Sequence, residues 1–66
     1  KEVEKELMQI FIIYYETGMN ICSTARLLYL HRNTLNYKLT KLSELLDMDV
    51  RDNLIANFLY LIAKII

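Results

Sequence analysis

The stretch "STARLLYLHRNTLNYKL", residues 23–39, decides the fold. Leucines run at helical spacing, stop for His31-Arg32-Asn33-Thr34, then resume. Two helices joined by three or four residues, the second one long, make a helix-turn-helix. Ala25 is the small residue that lets the first helix approach the second where they cross. Leu30 is the apolar residue placed to pin the turn to the core. Leu35, Leu39, Leu42 and Leu46 recur at i, i+4, i+7 and i+11, a narrow stripe on a 3.6-residue wheel, so this face of the second helix is buried. The opposite face shows Asn33, Asn36, Tyr37, Thr40, Lys41 and Glu44, with Thr34 at its margin and Arg32 and Lys38 flanking the stripe.

Upstream, "KEVEKELMQIFIIYYETG" places Val3, Leu7, Ile10, Phe11 and Tyr14 on one helical face. Glutamates in its first turn suit the helix dipole, and Gly18 is the expected stop. Met8, Ile12, Ile13 and Tyr15 widen the apolar stripe beyond one core face. Asn20 is a good N-cap for the second helix, which runs to about Tyr29. The third covers about residues 32–46. After Asp47-Met48-Asp49 a fourth begins near Asp49 or Asp52, and only Asn57 and Lys64 are polar among residues 54–66. A helix apolar nearly all round is buried on more than one side, so its spare surface is expected to meet another chain or the rest of a longer protein. Nothing reads as a strand. The expectation is an all-α domain of four helices.

Sixty-six residues make a single domain over 1–66, near the lower size limit for an unstapled core. With 55% apolar and 24% charged residues the chain is globular rather than disordered. It opens on Lys1 and not Met, as expected of an excised part of a longer protein. No apolar run reaches the roughly eighteen residues of a membrane span, so no membrane partner is expected. Cys22 is alone, which rules out an internal disulfide and reads as a small buried hydrophobe in a reducing cytoplasm.

Net charge is zero, but the charge is unevenly spread. Residues 21–46 carry Arg26, Arg32, Lys38 and Lys41 against Glu44 alone, a net of +3. Residues 1–20 carry a net of −2 (Lys1 and Lys5 against Glu2, Glu4, Glu6 and Glu16). Residues 47–66 carry −1 (Arg51 and Lys64 against Asp47, Asp49 and Asp52). The basic charge therefore belongs to the helix-turn-helix, which points to an anionic partner.

The outward residues have the chemistry of a major-groove reader. Arginine and asparagine make bidentate contacts to guanine and adenine, and threonine offers a hydroxyl and a methyl group. Lys38 and Lys41 can neutralise phosphates, and the helix N-terminus near residues 31–33 attracts one. His31, Arg32, Asn33 and Thr34 cluster at the helix head, from which such proteins read bases. Competing readings exist for some of these residues. His31 could cap the helix or bind a metal, but with no second histidine and one distant cysteine the metal reading fails. Tyr37 reads equally as packing or as a base contact. Arg26 could touch phosphate, though pairing with an acidic neighbour such as Glu16 is favoured. The five tyrosines read as core and interface. No nucleophile–base set, paired carboxylates or glycine-rich phosphate loop is present, so neither an enzyme nor a cofactor is expected.

"TARLLYLHRNTLNYKL" resembles the C-terminal DNA-binding domain of the bacterial purine-catabolism and sugar-diacid regulator family, the PucR and CdaR type. The family pattern runs Thr-Ala-x-x-Leu, an apolar residue, then His-Arg-Asn-Thr-Leu-x-Tyr-Arg/Lys-Leu. Thr24, Ala25, Leu28, Leu30, His31, Arg32, Asn33, Thr34, Leu35, Tyr37, Lys38 and Leu39 match it. The likeness continues through Leu42, Glu44, Leu45 and Leu46, covering roughly residues 10–62. It implies a fold similar to the DNA-binding end of the nucleoid protein Fis, at the C-terminus of a regulator with an upstream sensor region. It also implies that Arg32 and Thr34 sit at the DNA, with His31 capping or contacting phosphate. The family is usually basic at position 36 and often has arginine at 40 and 41, where this chain has Asn36, Thr40 and Lys41. That departure weakens the expected phosphate attraction of an isolated domain.

The reading is therefore sequence-specific binding of double-stranded DNA by a cytoplasmic transcription regulator acting as a dimer or larger assembly. Two third helices would enter successive major grooves about 34 Å apart. The outer apolar faces of the first and last helices would form the dimer surface. The alternative is a helical self-association or partner-docking module with weak or no DNA binding.

Overall fold

In the computed structural model, which describes residues 2–65, four helices follow one another: α1 (Glu2–Glu16), α2 (Ile21–Leu28), α3 (Arg32–Leu46) and α4 (Asn53–Ile65). No strand occurs among the described residues. Three helix starts are set by side chains that accept from otherwise unpaired backbone N–H groups. Asn20 Oδ1 accepts from Ser23 N–H at 2.9 Å, and His31 Nδ1 accepts from Asn33 N–H at 3.0 Å. Asp52 Oδ2 accepts from Leu54 and Ile55 N–H at 3.2 and 3.1 Å, settling where α4 begins.

The three interhelical corners share one device. After α1, Met19 N–H reaches Tyr14 C=O at 2.9 Å and Gly18 N–H reaches Tyr15 C=O at 3.0 Å. After α2, Leu30 bonds Ala25 at 2.9 Å and Tyr29 bonds Arg26 at 3.3 Å; after α3, Met48 bonds Ser43 and Asp47 bonds Glu44 at 3.1 and 3.4 Å. This paired closure is the Schellman motif, which needs a left-handed residue just past the helix. Gly18 (φ 81°) supplies it once; Tyr29 (φ 57°) and Asp47 (φ 55°) supply it without glycine.

α1 packs against each of the other three helices, and α2 packs against α3. The core unites Leu7, Ile10, Phe11 and Tyr14 of α1 with Ala25 of α2, the leucines Leu35, Leu39 and Leu42 of α3, and Ala56 and Leu59 of α4. Leu46 is half-buried at the end of the expected stripe and packs against this core. α4 is held by α1 alone among the helices, along a polar seam. Tyr15 OH donates to Asn57 Oδ1 at 2.9 Å, Tyr60 OH donates to Glu16 Oε2 at 2.6 Å, and the Tyr15 and Tyr60 rings stack at 4.5 Å.

Several expectations are corrected. Val3 is exposed, in a shallow depression whose other walls are Lys5, Glu6 and Gln9 of its own helix. Cys22 is exposed, not buried, because the inward face of α2 is taken by Ile21, Thr24, Ala25 and Leu28. Leu30 is only half-buried and lines a surface groove with Ile13, Leu28 and Lys38. Tyr29 and Tyr37 are exposed, leaving Tyr14 as the one fully core tyrosine. Val50, in the linker before α4, is completely buried, with its N–H donating to Ser43 Oγ at 3.1 Å.

Thr24 is a buried polar residue at the α1–α2 corner. Its hydroxyl lies 2.6 Å from Thr17 Oγ1 and 2.7 Å from the Asn20 carbonyl, while Thr17 reaches the Tyr14 carbonyl at 2.9 Å. Two hydroxyl protons are shared among three contacts, so two of them are hydrogen bonds at any one time, and no buried side-chain polar atom among the described residues lacks a partner.

Candidate nucleic-acid interface

The rotation of α3 is fixed by Leu35 and Leu39, both fully buried, and by Leu42. Arg32, Asn33, Thr34, Asn36, Tyr37 and Lys41 are consequently exposed. His31 sits at the head as the N-cap, so of its competing roles the structure displays capping. Tyr37 stands out into solvent, which removes the packing reading.

Charge is arranged along α3 with a direction. Arg32 and Lys41 have no ion pair or side-chain hydrogen bond among the described residues, and neither has Arg26 on α2. The expected Arg26–Glu16 pair is absent because Glu16 is taken by Tyr60 and, at 3.8 Å, by Lys64. Glu44, Asp47 and Asp49 gather at the opposite end of the helix, around a shallow depression shared with Thr40, Ser43 and Arg51. The head of α3 is thus free and basic, and its tail is acidic.

Two of the candidate side chains already have partners inside the domain. Lys38 is half-buried, and its Nζ lies 3.6 Å from Glu6 Oε2 of α1, so its charge is partly answered inside the domain. Asn36 is engaged by Arg51, a residue the sequence reading passed over. Arg51 Nη2 lies 2.8 Å from the Asn36 carbonyl, 3.3 Å from Asn36 Oδ1 and 3.1 Å from Thr40 Oγ1. The guanidinium therefore occupies the acceptor end of the Asn36 amide and leaves its NH2 end outward. The only sequence signal for this is the i, i+4 spacing of Asn36 and Thr40 on one flank of α3.

No group of three His, Cys, Asp or Glu that could hold a metal occurs among the described residues. Within the same residues no helix is long and apolar enough to cross a membrane.

The fold and this outward helix define a helix-turn-helix domain. More narrowly, the chain belongs to the family described as the PucR C-terminal helix-turn-helix domain, whose pattern matches residues 7–62. It is similar to the purine catabolism regulatory protein of Bacillus subtilis (strain 168), with 38% identity over 52 residues. That match covers 79% of this chain and 10% of the relative, so the chain spans about a tenth of the relative's length. No solved structure matches the chain.

Proposed function

We propose that this domain binds double-stranded DNA sequence-specifically for a bacterial transcription regulator, with the head of α3 in the major groove and two copies acting together. One observation carries the reading: Arg32, Asn33 and Thr34 stand exposed at the head of a helix whose rotation the buried leucines fix, and Arg32 has no partner among the described residues. The acidic tail supports the same orientation, because a phosphate backbone would be repelled by Glu44, Asp47 and Asp49 but not by the head.

Within this reading Arg32, Asn33 and Thr34 face base edges and Tyr37 lies against the groove wall. Lys41 meets phosphate, while His31 caps the helix by accepting the Asn33 N–H. Lys38 acts chiefly by bracing α3 against α1, and Asn36 presents its NH2 end under the hold of Arg51. The domain works in the cytoplasm and takes its signal from an upstream region of the same protein.

A second reading, a self-association or docking module with little DNA binding, is favoured by the zero net charge and the bare outer face of α4. Fluorescence-polarisation titration separates the two, using a copy fused to a dimeric coiled coil and random duplex DNA at several salt concentrations. DNA binding predicts a linear fall of log affinity with log salt, with Lys41→Ala lowering the slope by about 1. Arg32→Ala should weaken a selected site more than random duplex. A forced dimer that does not bind at low salt would hand the case to the docking module.

A further inference from the structure

Asn36 lies one turn behind the head of α3, four residues after Arg32 and three after Asn33, and its side chain is exposed. A free asparagine amide can turn either end outward, so it can donate to a base or accept from one. Here Arg51 makes the choice. A guanidinium has no acceptor, so the end of the amide that faces Nη2 at 3.3 Å is the oxygen. Rotating the amide would set its NH2 against the guanidinium, donor to donor.

Arg51 is itself fixed at both ends. Val50, just before it, is completely buried, and the Val50 N–H donates to Ser43 Oγ of α3 at 3.1 Å. The Arg51 N–H donates to Asp49 Oδ1 at 3.0 Å, and the Asp52 N–H closes the turn on the Asp49 carbonyl at 3.1 Å. At the far end of the side chain, Nη2 also reaches the Asn36 carbonyl at 2.8 Å and Thr40 Oγ1 at 3.1 Å. The linker before α4 thus delivers one guanidinium nitrogen to the flank of α3, where its two protons are shared among three acceptors.

We infer that Arg51, acting through Asn36, sets which bases the domain accepts at one position of its DNA site. Held by its oxygen, Asn36 offers its NH2 as a donor. In the major groove guanine presents the acceptors N7 and O6, adenine N7 and thymine O4, whereas cytosine presents only its N4 donor. Asn36 therefore takes guanine, adenine or thymine where it meets the groove and disfavours cytosine. The positive guanidinium beside Oδ1 works in the same direction, because it opposes a second donor approaching that oxygen. Arg51 is a positioning residue in this account. The inference rests on the DNA-binding reading and adds to it a rule for a single base.

The hold is measured first without DNA, by nitrogen-15 relaxation of the Asn36 side-chain amide. That amide should be ordered, Arg51→Ala should loosen it, and Arg51→Lys should keep part of the order. An amide equally mobile with and without Arg51 overturns the inference. Selectivity is then read with the coiled-coil dimer, on duplexes carrying each of the four bases in turn at every position of a selected site. One position of the half-site should disfavour cytosine by about fivefold, as the loss of one hydrogen bond does. Arg51→Ala and Asn36→Ala should each erase that penalty at that position and at no other. Asn36→Asp, an acceptor of nearly the same shape that Arg51 can still hold, should turn it into a preference for cytosine. A penalty that survives Arg51→Ala, or an Asn36→Asp variant with the base order unchanged, overturns the inference while the DNA-binding reading stands. A fused dimer that binds no duplex at low salt brings down both.

Discussion

Arg32 and Arg51 carry the same guanidinium into opposite situations. Arg32 has no partner among the described residues and is available to a ligand, whereas Arg51 is spent on Asn36 and Thr40. Removing Arg51 should therefore cost little stability, on the order of 1 kcal/mol for exposed hydrogen bonds. It would also free the Asn36 amide to rotate, so Arg51→Ala should narrow the ratio between specific and random-duplex affinity more than it lowers random-duplex affinity. Parallel polarisation titrations read this directly. Arg51→Lys should restore part of the ratio, because all three contacts come from the single nitrogen Nη2 and an ammonium also offers its donors from one atom. The opposite pattern, with both affinities falling equally, would make Arg51 a plain phosphate contact.

At the scale of the helices, the ends are where this chain departs from optimum. Tyr29 holds the left-handed position after α2 while 95% exposed, so its ring contributes almost no packing. A side chain in that conformation costs about 1–2 kcal/mol, partly offset when glycine replaces it by the greater freedom of the unfolded chain. Tyr29→Gly should consequently stabilise the domain by about 0.5–1 kcal/mol, seen as a higher urea midpoint with an unchanged slope. The seam between α1 and α4 adds a dependence on pH. The hydrogen bond from Tyr60 to the Glu16 carboxylate raises the Tyr60 titration above the ordinary 10.0, and burial raises that of Tyr14. Both phenols are therefore favoured in the neutral form by folding. Their contribution is fully present below the ordinary tyrosine value and is lost as pH climbs through the raised ones, since the unfolded chain gives up these protons first. Urea midpoints should fall over that alkaline window, and Tyr60→Phe should remove part of the fall.

For the molecule as a whole, what could be read in advance was whatever obeys a local rule. Asn20 as a cap, Gly18 as a stop and the leucine period of α3 depend only on near neighbours, so the four helices and the outward head of α3 were legible. Most of the misreadings involve partners distant in the chain or side chains off the helical period; Val3 keeps the period of α1 but lies exposed in the helix's first turn. Val50 lies in a linker with no period to mark it, yet becomes completely buried. Lys38 meets Glu6, and Arg51 meets Asn36, only because α1 and the linker fold back on α3. Cys22 has the composition of a core residue but the wrong angular position on α2. The bare stripe of α4 was foreseen as excess apolar surface, whereas its separation from α3 required the packing arrangement.

The three corners have a kinetic consequence. Each is closed by an N–H that reaches back five residues, to Tyr14, Ala25 and Ser43, so the chain changes direction before any distant contact has formed. Searching for the corners costs little loop entropy, and what remains is the docking of three helices onto α1. Proteins so dominated by near-neighbour contacts fold in about microseconds to milliseconds. With no proline anywhere in the sequence, no isomerisation can delay a fraction of the molecules. Stopped-flow or temperature-jump refolding should show a single fast exponential carrying the whole amplitude, and a phase lasting seconds would mean that the corners form late.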